Sequence, residues 1–292
     1  MSEKRKMNHH ALAILMVVVD AFGFAMMTFF VRQSGDLPTM QKVFFRNAVA
    51  AVIAAATLIR QPGSFKISKD GWFGIAMRCI FGTSGMVLNF WAIDHIALAD
   101  ANILNKMSPF FAIIMSIFIL KEIPNRFEVV MVAVAFLGAI LIIQPSAGLA
   151  SIPAVVGLLG GFGAGAAYTF VRKLGMIGVK GNVIVFCFSF FSVVVTLPNL
   201  IFNFVPMSTA QWVSLILSGC SAAVGQFCVT KAYQLAPAKE ISVFDYTQVI
   251  FAGILGFSFF GEIPNAMSMA GYCIVITAAI IKWYYNVHVQ NN

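Results

Sequence analysis

The most distinctive chemistry in this chain lies in five charged side chains that fall inside long apolar runs: Asp20, Arg46, Arg78, Lys106 and Asp245. A charge at the centre of a membrane-spanning helix costs about 2.5–3.5 kcal/mol on insertion scales. We therefore expect these residues to pair with one another or to line a hydrated cavity. Their formal charges leave an excess of one positive charge, which would be available to a carboxylate or another anionic group.

Other polar residues accompany these charges at helical spacing. Asn102, Asn105 and Lys106 follow i, i+3 and i+4, which places them on one face of a helix. Such a face either contacts a ligand or holds neighbouring helices together. The residues that we expect to bind a substrate share this kind of placement, and they are Lys106, Asp245, Asn102, Asn105, Arg78, Asn89, Tyr168, Tyr246 and Gln226.

Asp20 and Asp245 are the candidate proton-coupling groups, because a carboxyl group within a helix bundle can bind and release a proton. For Asp20 an ion pair with Arg46 or Arg78 is the alternative interpretation. Arg46 lies only a few residues into its apolar run, so we expect its side chain to extend towards a membrane interface. Lys106 and Asp245 either contact the substrate or pair with each other.

The composition of the chain indicates which kind of secondary structure holds these residues. Of the 292 residues, 60% are hydrophobic and 10% are charged, whereas a soluble domain carries about 25% charged residues. The chain is therefore predicted to be an all-α integral membrane protein. A bilayer core needs about 20 apolar residues per helix, which predicts ten spans at roughly 11–31, 40–59, 72–93, 97–120, 127–144, 152–171, 182–203, 210–231, 238–260 and 266–285.

The basic residues between the spans predict the orientation. With the N-terminus inside, fourteen Lys and Arg residues fall on the cytoplasmic side and only two, Arg32 and Lys42, on the outer side. This bias predicts that both termini are cytoplasmic, in the plasma membrane of a bacterium. The net charge of +8 is explained by these loops and does not indicate binding to nucleic acid.

A short motif repeats in the two halves of the chain. Glu122-Ile123-Pro124-Asn125 recurs at residues 262–265, which is 140 positions later and again at the end of an apolar run. The interval contains five predicted spans, so the second copy would enter the membrane upside down. We expect one five-helix repeat at residues 1–148 and an inverted one at residues 149–292.

Several segments then show a family resemblance. PTMQKVFFRNAVA at residues 38–50, the block at residues 78–124 and the block at residues 232–264 resemble the EamA branch of the drug/metabolite transporter superfamily. The resemblance implies ten helices and a carrier whose site lies between the two halves. In the second half Gln248 stands near the place of Pro109, so the ninth span is expected to lack the kink of the fourth.

From these features we expect a secondary active transporter that moves a small polar organic metabolite, such as an amino acid or an S-adenosylmethionine-like compound, by alternating access. The alternative within the family is a multidrug or organic-cation proton antiporter. The partners would be the substrate and the lipid bilayer, and a homodimer is compatible with the sequence. We expect no cofactor and no metal.

Two interpretations lie outside the family, a membrane enzyme and a passive channel. His95 and Asp100 form an H-x4-D pattern that resembles an acyltransferase signature, and a membrane enzyme would use these two residues. A passive channel is the other alternative. We expect neither, because charged residues within spans mark transport pathways by default. Gly157, Gly161 and Gly165 form two GxxxG steps and predict a face for close helix packing.

Overall fold

The computed structural model describes residues 3–60, 67–93, 95, 102, 104–144, 151–261 and 263–288. Within these residues the structure is helical and contains no strand. The helices are α1 (Glu3–Gln33), α2 (Thr39–Ile59), α3 (Lys69–Ile93), α4 (Ser108–Leu120), α5 (Arg126–Ile143), α6 (Ile152–Met176), α7 (Gly181–Phe202), α8 (Thr209–Leu235), α9 (Ala238–Phe260) and α10 (Ala266–His288).

The lengths of these helices fit a membrane protein. In the part of the chain that the structure describes, nine helices are long and apolar enough to cross a membrane, and α4 is a shorter apolar helix. The protein is therefore an all-α integral membrane protein with two five-helix repeats, as the sequence predicts. We call the end of the bundle at which α1 begins and α10 ends the terminal end, and the other the distal end.

Helix packing follows the repeat. The most extensive contacts join α3 to α6 and α1 to α8. Counterpart helices are five apart in the chain, so α3 corresponds to α8 and α6 to α1. The two contacts are therefore equivalent in the two repeats. The pairs α5–α10 and α2–α7 each join a helix to its own counterpart. The arrangement is that of two structurally related halves about a pseudo-twofold axis.

Two glycine contacts repeat the same symmetry at atomic detail. A Cβ on Gly163 of α6 would lie 2.7 Å from Cα of Gly85 in α3. A Cβ on Gly23 of α1 would lie 3.0 Å from the backbone nitrogen of Gly225 in α8. Both glycines of the second contact stand 140 positions from their counterparts in the first. Backbones can approach this closely only because no side chain separates them.

The GxxxG face of α6 packs against α4 and the residues before it. A Cβ on Gly161 would lie 2.5 Å from the carbonyl oxygen of Leu104, and one on Gly165 would lie 2.6 Å from that of Ser108. Gly157 faces Leu104 and Ala92. The packing role predicted for this face is confirmed, and it holds the start of α4 against α6.

The fourth span is not one continuous helix, contrary to our prediction of residues 97–120. Lys106 and Met107 form a turn, and α4 begins at Ser108. Pro109 has no N–H and therefore cannot donate to the carbonyl of Asn105, which ends the preceding helical hydrogen-bond pattern. The backbone N–H of Lys106 still donates to the carbonyl of Asn102 at 3.0 Å, so these two residues belong to one helical turn that is separate from α4.

The ninth span is also interrupted, so the expectation that it lacks a kink is wrong. Residues Ser242–Tyr246 form a 3-10 segment between the first turn of α9 and its main part, Thr247–Phe260. The hydroxyl of Ser242 donates to the carbonyl of Ala238 at 2.5 Å, and that of Thr247 donates to the carbonyl of Phe244 at 2.6 Å. The side-chain hydroxyls thus satisfy carbonyl groups near the interruption. In α9 the interruption forms without a proline.

The repeated motif is a connection between two helices. Lys121 at the end of α4 and Gly261 at the end of α9 both adopt a left-handed conformation, with φ of 59° and 66°. Asn125 then caps α5 by accepting from the backbone N–H of Glu128 at 2.8 Å, and Asn265 accepts from that of Ser268 at 2.9 Å. The sequence repeat therefore encodes a helix C-cap followed by a helix N-cap.

The two C-cap positions carry different residues, which generates a prediction on stability. A side chain other than glycine in the left-handed region costs about 1–2 kcal/mol. Lys121→Gly should therefore raise the apparent midpoint of thermal unfolding in detergent, and Gly261→Ala at the equivalent position should lower it. Both midpoints can be measured by following tryptophan fluorescence on heating, and an unchanged midpoint for Gly261→Ala would contradict this account of the caps.

The glycine contact between α3 and α6 generates a second prediction. Gly163→Val places its side chain against the backbone of Gly85, and overpacking of this kind costs about 1–3 kcal/mol. We expect a lower unfolding midpoint and a larger aggregated fraction in size-exclusion chromatography. The matched control is Val155→Leu, an enlargement at an exposed position of the same helix, which should leave both measurements unchanged.

Candidate functional site

A polar cavity of about 170 Å³ lies between the two repeats. The lining residues of α1 and most of those of α3 lie on the distal side of the helix midpoints, whereas Tyr168 of α6, Phe188 of α7 and Gln226 of α8 lie on the terminal side. The cavity is therefore near the middle of the bundle. The lining residues come from both halves of the chain and are Phe24, Met27, Arg46, Arg78, Gly82, Gly85, Met86, Asn89, Phe90, Asn105, Lys106, Ser108, Ala164, Ala167, Tyr168, Phe188, Gln226, Asp245 and Gln248.

Lys106 joins the interruption before α4 to the one in α9. Its Nζ donates to Oε1 of Gln248 at 2.6 Å and lies 3.5 Å from the backbone carbonyl oxygen of Asp245. In the opposite direction, the hydroxyl of Tyr246 donates to the backbone carbonyl of Lys106 at 3.0 Å. Each interruption thus receives a side-chain donor from the other repeat. Lys106 reaches the main chain of Asp245 in this arrangement.

The two acidic residues of the spans lie in different environments. Asp245 lines the cavity and is partly accessible, whereas Asp20 is fully buried with 0% exposure. Neither carboxylate oxygen of Asp20 has a hydrogen-bond partner in the described structure. Asp20 is still close enough to Asp245 and Lys106 to interact with both electrostatically. The predicted ion pair of Asp20 with Arg46 or Arg78 is absent among the described residues.

Arg46 corrects another expectation, since it does not extend to an interface. Its side chain is 8% exposed and lines the cavity. The Nε–H group donates to the sulfur of Met27 at 2.9 Å, and Nη1 donates to the sulfur of Met86 at 3.0 Å. The two methionines contact the guanidinium inside the bundle, although a thioether sulfur is only a weak hydrogen-bond acceptor.

Arg78 lies in the same wall and is 3% exposed. Its Nη2 donates to Oε1 of Gln226 at 3.1 Å, and its guanidinium carbon lies 3.9 Å from the ring centroid of Phe188. The Nε–H group has no hydrogen-bond partner in the described structure. Stacking on an aromatic face and a single amide contact therefore hold this cation in place.

The structure brings together most of the predicted polar residues. Asn89, Asn105, Tyr168 and Gln226 line the cavity with Lys106, Arg78 and Asp245. Asn102 is exposed and lies outside the cavity lining. Tyr246 is fully buried and contacts the turn before α4 rather than the cavity.

Some lining residues were not predicted from the sequence. Met27, Met86 and Phe188 resemble the many other apolar residues of the spans, so nothing in their spacing distinguishes them. Gln248 could have been identified, because it is polar and stands three positions after Asp245, on the same face of a helix. Its contact with Lys106 makes it part of the connection between the repeats.

His95 of the H-x4-D pattern is not among the residues that line this cavity. His95 is exposed, its Nδ1 lies 2.8 Å from the carbonyl oxygen of Trp91, and its ring stacks on Trp91 with centroids 3.9 Å apart. Asp100 lies outside the described residues, as does Glu262 of the repeated motif. In the described part of the chain, no group of three His, Cys, Asp or Glu residues is placed to hold a metal ion.

The terminal end of the bundle is joined by ion pairs. Buried Glu128 of α5 lies 3.4 Å from Nζ of Lys282 in α10 and 3.9 Å from that of Lys239 in α9. Arg172 of α6 pairs with Glu122 at 3.0 Å. These contacts link helices of both repeats on the side of the cavity nearest the chain termini.

Comparisons with other proteins agree with this architecture. The chain is 34% identical over 270 residues to the pseudopaline exporter CntI of Pseudomonas aeruginosa, covering 91% of this chain and 94% of that protein. It is 27% identical over 304 residues to solute carrier family 35 member G1 of Mus musculus, covering 96% and 81% of the two chains. A crystal structure with 14% sequence identity shares the fold, with a TM-score of 0.77 over 92% of this chain and 95% of that one.

The sequence also matches a family profile twice. The EamA-like transporter family matches residues 11–144 and again residues 151–283, and each match covers one five-helix set. These relatives are membrane transporters, so the partners implied for the chain are a small-molecule substrate and membrane lipid. The protein belongs to the EamA-like transporter family.

Proposed function

We propose that this protein is a secondary active transporter that moves a small polar organic metabolite across the bacterial cytoplasmic membrane by alternating access. The observation that carries the proposal is the polar cavity between the repeats, bordered by the interruptions at Lys106 and Asp245. Transporters built from inverted repeats bind substrates near the bilayer midplane, where interrupted helices expose backbone groups. A further support is that the membrane relatives include an exporter.

The ion pairs at the terminal end are contacts that alternating access must break. The charge bias of the loops places the terminal end in the cytoplasm, and the pairs of Glu128 and Glu122 join helices at that end. The cavity lies between this end and the distal end. Opening the cavity to the cytoplasm therefore requires these contacts to separate.

The charges of the cavity favour a substrate that carries an anionic group and an amine. Three cations line the cavity, Arg46, Arg78 and Lys106, whereas Asp245 is the one acidic lining residue in the described structure. A simple organic cation would be repelled by this excess of positive charge. An amino acid or a related amino-carboxylate satisfies both signs, with its amine at Asp245. By analogy with the exporter from Pseudomonas aeruginosa, we assign the direction as export.

A ligand screen identifies the compound for transport measurements. Purified protein is heated with amino acids, nucleosides, S-adenosylmethionine and quaternary amines, because a compound that binds only the folded state raises its apparent stability. The compound with the largest shift is then radiolabelled. A quaternary amine as the strongest ligand would favour the organic-cation antiporter instead.

The central residues generate a prediction for transport in proteoliposomes. Asp245→Asn removes the proposed amine contact, and Lys106→Ala removes the donor shared by the two interruptions. Loss of a hydrogen bond to a charged group costs about 1.5–3 kcal/mol, so we expect each variant to reduce the initial rate of transport at low substrate concentration roughly tenfold or more. Asn102→Ala, outside the cavity, is the control. Normal transport by both folded central variants would refute the site.

A separate prediction concerns Asp20, which we propose as the proton-coupling carboxylate. Its buried oxygens lack hydrogen-bond partners in the described structure, and Asp245 and Lys106 lie within electrostatic reach. Asp20→Asn should abolish accumulation driven by a pH gradient while preserving exchange of labelled for unlabelled substrate. Both are measured in the same liposomes. If Asp20→Asn retained full pH-driven accumulation, Asp20 would not be the coupling group.

A further inference from the structure

We propose that Arg46 and Arg78 together form an anion-binding subsite that receives the anionic oxygen group of the substrate. The inference rests on the proposed function and deepens it, since it assigns the anionic group of the substrate to the two arginines rather than to Lys106. It also gives the substrate an orientation, with its anionic group at the arginine wall and its amine at Asp245. From the sequence, Arg78 was expected to bind a substrate, whereas Arg46 was expected to extend to a membrane interface.

Lys106 already has contacts within the protein. Its Nζ already donates to Gln248 at 2.6 Å and lies 3.5 Å from the backbone carbonyl of Asp245. These contacts connect the two repeats. A substrate carboxylate at Lys106 would compete with both of them.

The two guanidinium groups have weak hydrogen-bond partners. The N–H groups of Arg46 that have identified contacts donate to the sulfur atoms of Met27 and Met86, and thioethers are poor acceptors compared with carboxylates. The Nε–H group of Arg78 is buried and without a partner in the described structure. Within the described residues, no acidic side chain forms an ion pair with either arginine.

The two arginines face the same space. Both side chains line the same cavity, and Arg78 is near enough to Arg46 to act on it electrostatically. Met86 accepts a hydrogen bond from Arg46, and the guanidinium of Arg78 lies over the ring of Phe188. Buried cations without anionic partners are costly, and an anionic ligand bound between them removes that cost. Guanidinium groups bind carboxylate or phosphate oxygens through paired hydrogen bonds.

The test measures the charge preference of the cavity and does not need the natural substrate. Asn89, another lining residue, is replaced by cysteine in a background where the five native cysteines are changed to serine or alanine. The purified protein is then labelled with 2-sulfonatoethyl methanethiosulfonate, an anion, or with its trimethylammonium analogue, a cation. The labelling rate with the anionic reagent is divided by that with the cationic reagent. This ratio is then divided by the same ratio for a free thiol in solution, which gives the corrected ratio.

The corrected ratio should favour the anionic reagent about tenfold, as expected for unit charges several ångströms apart in a partly hydrated site. Arg46→Gln and Arg78→Gln should each reduce the preference, and Arg46→Lys should retain it. The control is Lys42→Gln, which removes a cation from the same helix outside the cavity lining and should have no effect. A corrected ratio at or below one in the Asn89→Cys protein would contradict the proposed subsite, and no arginine variant would be needed to show it.

Competing anions distinguish a built site from a general positive field. Sodium succinate and sodium phosphate are compared with sodium chloride at equal ionic strength, and at least one should slow labelling by the anionic reagent several-fold more than chloride. The stronger competitor indicates whether carboxylate or phosphate is preferred. Equal effects of all three salts would contradict the subsite. Since labelling is independent of transport, an anion preference in a protein that fails to transport would refute the proposed function alone.

Discussion

The architecture depends on the way in which two interrupted helices satisfy each other's backbone. Within a bilayer an unpaired carbonyl group has no water to accept from, so an interruption persists only where protein donors reach it. Here the ammonium group of Lys106 points to the carbonyl of Asp245, and the hydroxyl of Tyr246 donates to the carbonyl of Lys106. Because each contact crosses between the repeats, the interruptions before α4 and in α9 are coupled to the interface at which the cavity lies.

Glycine contacts allow this interface to form. Gly163 meets Gly85, and Gly23 meets Gly225, at equivalent places in the two repeats. The close approach of α3 to α6 and of α1 to α8 brings opposite halves together on both sides of the cavity. Polar residues from both halves then surround the same space, although they are far apart in sequence. The binding site is thus a product of duplication and inversion rather than of any single segment.

Much of this organisation could be predicted from the sequence, for identifiable reasons. Span number depends on apolar length, and the repeat was visible at Glu122–Asn125 because caps require particular residue types. Intramembrane charge also singled out Lys106 and Asp245. The position of Arg46 could not be predicted, because a cation near the start of a span can extend to an interface or be held inside by neighbours. Its methionine contacts depend on the packing of three helices.

The interruption of α9 was missed for a related reason. Proline marks the break before α4, but in α9 hydroxyls of Ser242 and Thr247 take over carbonyl groups, and serine or threonine within a helix gives no comparable signal. Among the described residues, neither carboxylate oxygen of Asp20 has a hydrogen-bond partner. The sequence could not predict this, since it shows which charges are present and not which of them meet. Pairing is decided by tertiary geometry, where a shift of a few ångströms separates an ion pair from an isolated carboxylate.

The N-cap contacts of α5 and α10 show where the symmetry of the repeats ends. Glu128 of α5 is buried against Lys282, whereas its counterpart Ser268 receives a neutral hydrogen bond from Gln144 at 3.1 Å. The two ends of the bundle are therefore held by contacts of different strength, and the two facing states of the empty protein should differ in free energy. Such a difference cannot set the direction of net transport, which the gradients determine. It does make the apparent affinity for the same solute unequal on the two faces of the membrane.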